Sequence, residues 1–199
     1  MKQLLAATAK QILKASKVWK GGPIFPIVSG RARIQTQAKG VQRTFKYPTG
    51  AKVPIPPPIL SPELRKILKQ DSRHQVFKTK YGPLSLKMLE QLGDVQYNAA
   101  IVSYLIKKQP RLEWAEMMHL RKILPSNAQL DSFAESIGTF NRIRRPGITS
   151  NKRPADIQEA EFGAMFLENG GVITARFIEE LIEPAIKFHC QKFRGHGKS

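Results

Sequence analysis

A chain of 199 residues with 33 Lys and Arg against 15 Asp and Glu carries a net charge of +18, and that balance points to a polyanionic partner. Its length suits one domain with a real core and hardly two. The single cysteine, Cys190, excludes an internal disulfide framework and suits a reducing compartment; no run approaches 18 apolar residues, which excludes a transmembrane helix.

The charge is unevenly placed. Residues 1–62 hold eleven Lys or Arg and no acid, which leaves +7 for residues 63–199. Nucleic acid is favoured over an anionic membrane, because no basic amphipathic segment follows the N-terminus.

Residues 2–20 predict a helix, with Leu5, Ile12 and Trp19 at heptad spacing and Lys10, Lys14 and Lys17 on another face. Basic, small and hydroxylated residues without acids make the composition of a mitochondrial transit segment, so the expected location is the mitochondrial matrix. Gly21-Gly22-Pro23 ends this helix. From residue 21 to 60 periodicity is lost, and eight of the 14 prolines fall within residues 1–62. Such a stretch buries too little apolar surface to fold alone. It is expected to be an extended arm laid along RNA, with Arg31, Arg33, Arg43 and Lys46 on phosphates and Phe25, Phe45 and Tyr47 between them for occasional stacking.

A helical domain is expected over residues 61–192, with residues 193–199 as a tail. Ser61, Pro62 and Glu63 supply an N-cap, a first-turn proline and a first-turn acid. A polar loop follows from Asp71 to Pro83. Ser85 then caps a central helix to about Lys108, with Leu86, Leu89, Leu92, Ala99 and Val102 at helical spacing. Further helices are expected over residues 113–124 and 128–137. Residues 139–154 predict a basic loop whose Arg142, Arg144, Arg145, Lys152 and Arg153 contact phosphates. Helices over 156–169 and 173–188 complete the chain, the last interrupted or bent near Pro184. No alternating strand pattern occurs, so the fold class is all-α.

Chemistry-bearing residues concentrate on two of these helices. Glu90 and Asp94, at i and i+4, project from one face of the central helix; Asp156 and Glu159, at i and i+3, do the same at the start of the late one. Four carboxylates from two packed helices form a set that helical folds use for hard divalent cations. Phosphodiester hydrolysis is the chemistry such ions support. On spacing alone the signal is weak, because acids at this spacing are common on solvated helix faces, and that reading is the better one until the surrounding residues are considered. His189, Cys190 and His196 match no zinc-ligand spacing.

Three blocks sharpen the reading: Leu89-Glu90-Gln91-Leu92-Gly93-Asp94, residues 120–130 and residues 155–171. In this order they resemble the ribonuclease III endonuclease domain over roughly residues 61–188. That resemblance implies an all-α, dimerising domain that cuts double-stranded RNA with Mg²⁺, with Glu90, Asp94, Asp156 and Glu159 as its metal-binding and catalytic acids. The chain departs from the pattern at Leu86-Lys87-Met88, where the family has Asn-Glu-Arg, and at Gln91, where its dimer-contact aromatic belongs. The accessory double-stranded-RNA-binding domain is not expected after residue 192.

Two expectations follow. In the first, the chain is a structural protein of the mitochondrial large ribosomal subunit, needs no cofactor, and binds ribosomal RNA, other ribosomal proteins and a second ribonuclease-III-like chain around Gln91. In the second, it is a Mg²⁺-dependent endonuclease that processes organellar RNA.

Overall fold

The computed structural model describes residues 44–70, 72–108, 112–143 and 153–196, all within one compact unit spanning Gln42–Ser199. Its elements, in chain order, are α1 (Pro62–Leu68), β1 (Phe77–Thr79), β2 (Gly82–Leu84), α2 (Leu86–Lys108), α3 (Trp114–Ile123), α4 (Asn127–Ser136), α5 (Thr139–Ile143), α6 (Pro154–Asn169) and α7 (Gly171–His196). The domain is helical, as expected, apart from one hairpin. No described helix is long and apolar enough to cross a membrane.

Helix boundaries follow local chemistry. The Ser61 hydroxyl accepts from Leu64 N at the start of α1, Ser85 accepts from Met88 N at α2, and Ser126 accepts from Gln129 N at α4. Gly170, at φ 82°, closes α6 in a conformation that penalises side chains.

Helix α6 is the central element. Ala155, Ile157, Gln158, Ala160, Glu161, Phe162, Gly163, Ala164 and Met165 are all buried, the all-round burial of a helix enclosed by neighbours. One side joins the larger core through Phe162, which stacks on Tyr97 of α2 with ring centroids 5.2 Å apart. The Tyr97 hydroxyl donates to the Leu124 carbonyl at 2.9 Å, so its polar tip is satisfied inside the core. The other side, with Ile157, Ala160 and Ala164, packs on Leu64, Ile67, Leu86 and Leu89.

Several expectations need correction. The polar loop over residues 71–83 contains an antiparallel hairpin pairing Phe77 with Leu84 and Thr79 with Gly82; three-residue strands are too short to show alternation. Residues 139–143 form α5 rather than loop, and α6 begins at Pro154. Helix α7 starts at Gly171 and continues through Pro184 to His196, beyond the expected end of the domain.

The largest correction concerns the arm. Residues 44–60 pack on the helices. Phe45 is buried in the larger core, and Gln129 grips its backbone, accepting from its N–H at 2.9 Å and donating to its carbonyl at 3.0 Å. Ser132 donates to the same carbonyl, and the Tyr47 hydroxyl donates to the Leu181 carbonyl. Burial of one aromatic side chain contributes roughly 1.5–3 kcal/mol, so Phe45 serves the core rather than a nucleotide base. Tyr47 packs against the same core. The helix expected over residues 2–20 and the arm through residue 43 lie outside the described residues.

Candidate metal centre

Helices α2 and α6 cross backbone to backbone. A Cβ at Gly93 would lie 1.7 Å from the Glu159 carbonyl oxygen, and one at Gly163 would lie 2.1 Å from the Leu89 carbonyl oxygen. No side chain fits either place. A glycine inside a helix costs about 1 kcal/mol relative to alanine; here it permits a crossing that brings both acid pairs to one place. The two glycines are functional-site residues that pattern reading missed, although isolated glycines within apolar helical periodicity were the available signal.

Three of the four expected acids converge. Oxygens of Glu90, Asp156 and Glu159 lie within 4.8 Å of one another. Asp94 stands apart from this group, exposed on α2, where its carboxylate accepts from the Asn98 amide at 2.8 Å. Its charge still reaches Glu159. Burial first, then the charges of Asp94, Glu90 and Asp156, push the Glu159 carboxyl up to about 7. Asp156 lies in the first turn of α6, where the helix dipole favours a negative charge.

Cations supplied by the chain itself face these acids. Arg73 donates from Nη2 to Glu90 Oε2, and Lys87 donates from Nζ to Glu90 Oε1. Arg73 Nη1 also lies 3.5 Å from Asp156 Oδ2. The hydrogen bond to Glu90 raises the Arg73 guanidinium above its ordinary value, with the Glu90, Asp156 and Glu159 charges adding to it. Lys87 was readable beforehand from its i,i+3 spacing to Glu90. Arg73, in the segment before β1, carried no sequence signal of its role.

The geometry meets part of what Mg²⁺ requires: hard oxygen donors from two rigid helices, close enough to converge. It does not meet the rest. Both Glu90 oxygens are engaged by cations, and one of those cations also approaches Asp156. In this arrangement the donor set does not fit the ion that the resemblance implies.

The expected phosphate contacts separate into three groups. Lys46 is exposed and lies 3.5 Å from Glu135. Arg153 is exposed at the N-cap of α6. Arg142 is a structural counter-ion instead: it donates to Glu161 at 2.7 Å and to the Ile137 carbonyl, beside a Thr139–Gln158 hydrogen bond of 2.5 Å. A basic run reads alike whether its arginines face solvent or a buried carboxylate, which is why sequence could not make this distinction. Lys10, Lys14, Lys17, Arg31, Arg33, Arg43, Arg144, Arg145 and Lys152 lie outside the described residues.

Gln91 is exposed on α2, with Met88 and Val95, both exposed, at helical spacing on the same face. His189 is buried, its Nε2 lying 3.3 Å from Gln129 Oε1, and burial lowers its pKa to about 4, with the charges of His119 and Lys192 adding to the shift.

No protein-family model matches the chain. Curated proteins do. It is 30% identical to ribonuclease 3 of Listeria welshimeri over 132 residues, covering 61% of this chain and 57% of that protein. It is 29% identical to ribonuclease 3 of Staphylococcus aureus over 106 residues, covering 50% of this chain and 44% of that protein. The nuclease domain of ribonuclease III from Campylobacter jejuni is similar at 23% identity and a TM-score of 0.46, covering 61% of this chain and 87% of that one. Over this region the chain is similar to bacterial ribonuclease 3 proteins, and it spans a little over half the length of the Listeria relative it matches.

Proposed function

We propose that the chain is an architectural RNA-binding protein, a component of the mitochondrial large ribosomal subunit that engages ribosomal RNA through its basic N-terminal residues and its ribonuclease-III-like domain. The observation that carries this reading is charge: +18 overall, with eleven cations and no acid in residues 1–62. A polycation of this kind gains affinity chiefly by neutralising phosphates and releasing counter-ions. The acid-free composition of residues 2–20 supports a mitochondrial matrix location. Other ribosomal proteins are its expected neighbours. The exposed α2 face around Met88, Gln91 and Val95 is where a second ribonuclease-III-like chain would pack.

The test is co-sedimentation. The chain should remain with a purified mitochondrial large subunit after a high-salt wash, and free migration would count against the assignment. In isolation its RNA affinity should fall steeply as salt rises.

One observation favours a second reading, a Mg²⁺-dependent endonuclease acting on organellar RNA: the convergence of Glu90, Asp156 and Glu159. That reading requires Arg73 and Lys87 to leave Glu90. Incubation with double-stranded RNA and Mg²⁺ decides between the two. The architectural reading predicts no cutting above that of Asp156→Asn and Glu159→Gln; metal-dependent cutting abolished by either substitution would sink it.

A further inference from the structure

The acid cluster holds a built arrangement that charge counting misses. Arg73 and Lys87 are fixed to one another as well as to Glu90, because the Lys87 backbone N–H donates to the Arg73 carbonyl at 2.9 Å. That bond sets residue 73 beside the first turn of α2, from which its guanidinium reaches Glu90 on α2 and Asp156 on α6. Lys87, one turn before Glu90, takes the remaining Glu90 oxygen. The cations therefore come from two adjoining pieces of chain, and the acids from two crossing helices.

A divalent ion drawn to the oxygens of Glu90, Asp156 and Glu159 would compete with the guanidinium for two of those three carboxylates. It would also displace an ammonium group held on the other Glu90 oxygen. Both displaced groups stay tethered a few ångströms away, where like charge opposes the ion in a partly desolvated setting. Mg²⁺ further needs room for the waters it retains. A cation delivered by the chain itself gives up no translational freedom at the site, so the internal pair holds the advantage over an ion from solution.

We propose that Arg73 and Lys87 take the place of a divalent ion among Glu90, Asp156 and Glu159, making this site a metal-free clasp that joins the 72–76 segment, α2 and α6. The inference rests on the architectural reading and deepens it, by giving the acids a present task. The clasp meets the charge of Glu90 and part of that of Asp156, two of the acids that the glycine crossing forces together, and holds the residues preceding the hairpin onto α2.

The test titrates Mn²⁺ into the full chain by calorimetry, without RNA, alongside thermal melts in EDTA and in Mg²⁺. The wild type should show no saturable heat and the same melting temperature in both. The double variant Arg73→Gln/Lys87→Gln should melt lower in EDTA, recover with Mg²⁺, and show saturable Mn²⁺ heat that the wild type lacks. Adding Asp156→Asn should remove that heat. Saturable binding by the wild type that Asp156→Asn abolishes would overturn the clasp, as would a folded double variant that binds no better than wild type. Should the double variant not fold, Lys87→Gln alone carries the test: saturable Mn²⁺ heat supports the clasp and its absence overturns it. Because RNA is absent, failure here leaves RNA binding standing, and a failure of RNA binding leaves the clasp standing.

Discussion

Helix α6 carries an acid–arginine site on each of two faces, and the two differ in charge balance. On one face Glu161 is buried and matched: Arg142 reaches both of its oxygens, at 2.7 and 3.0 Å, and Thr139 and Gln158 add hydrogen bonds. On the other face Asp156 and Glu159 meet Glu90 and the charge of Asp94, and the cations contact Glu90 and Asp156. Among the described residues no cation lies within salt-bridge distance of Glu159, whose carboxyl is the one pushed up to about 7. The comparison separates two uses of a buried carboxylate. Glu161 ties α5 to α6 with its charge met. The α2–α6 crossing concentrates more negative charge than its two cations meet by contact.

Gly93→Ala should break both faces together, because the new methyl would collide with backbone at the crossing that positions α6. We expect a loss of about 3 kcal/mol or more, at the upper end of overpacking costs, read as a shift of the urea midpoint. A stability within experimental error of wild type would show that the helices can separate there without consequence.

Breaking only the matched face should cost less. Glu161→Ala removes the carboxylate that meets the Arg142 guanidinium and one partner each of Thr139 and Gln158, which keep the hydrogen bond between them. Loss of one member of a buried pair costs roughly 3–5 kcal/mol, and the partial exposure of Arg142 lowers the expectation to about 2 kcal/mol. Glu161→Gln, which keeps an acceptor, should recover part of this loss in the same denaturation assay.

The unmatched face predicts a pH dependence of definite sign. Glu159 has an ordinary pKa of 4.5 and a folded value of about 7. Between those values the folded state holds a proton that the unfolded chain has released, so this group makes stability fall as pH rises from 4.5 to 7 and level off above. Solvent screening of this partly exposed carboxyl holds the expected effect to about 1 kcal/mol. Glu159→Gln should remove this slope and be more stable than wild type at pH 8. Equal pH profiles for the two proteins would deny the charge surplus. His189 acts in the opposite sense: its folded pKa of about 4 lies below the ordinary 6.5, so its contribution is present above 6.5 and is lost as pH falls toward 4.

What sequence revealed divides along similar lines. Glu90, Asp94, Asp156 and Glu159 were legible because helical spacing and local order suffice to place them on faces. The ends of α1, α2, α4 and α6 were legible from Ser61, Ser85, Ser126 and Gly170 for the same reason. The partners were not. Phe45 meets Gln129 across 84 positions, Arg142 meets Glu161 across 19, and Arg73 meets Glu90 from a segment with no periodicity. A positive charge in sequence does not say which negative charge it serves. That is why Arg142 read as a phosphate contact and Arg73 was passed over.

Lys46 and Glu135 complete the gradient as an exposed pair, with side chains 70% and 63% accessible and 3.5 Å apart. Such pairs contribute about 0–1 kcal/mol, so Lys46→Ala should leave thermal stability within about 0.5 kcal/mol of wild type. Its neighbour Phe45 is gripped by Gln129 and Ser132, so the backbone that positions residue 46 should survive the substitution. Any change in RNA affinity then reports on the charge itself. If Lys46 contacts a phosphate, Lys46→Ala should weaken binding about equally across RNA sequences and reduce the slope of log affinity against log salt by about one. An unchanged slope would assign Lys46 to Glu135 alone. The RNA contacts would then belong to other basic residues, with Arg153, exposed at the start of the same helix that carries both acid sites, the next to test.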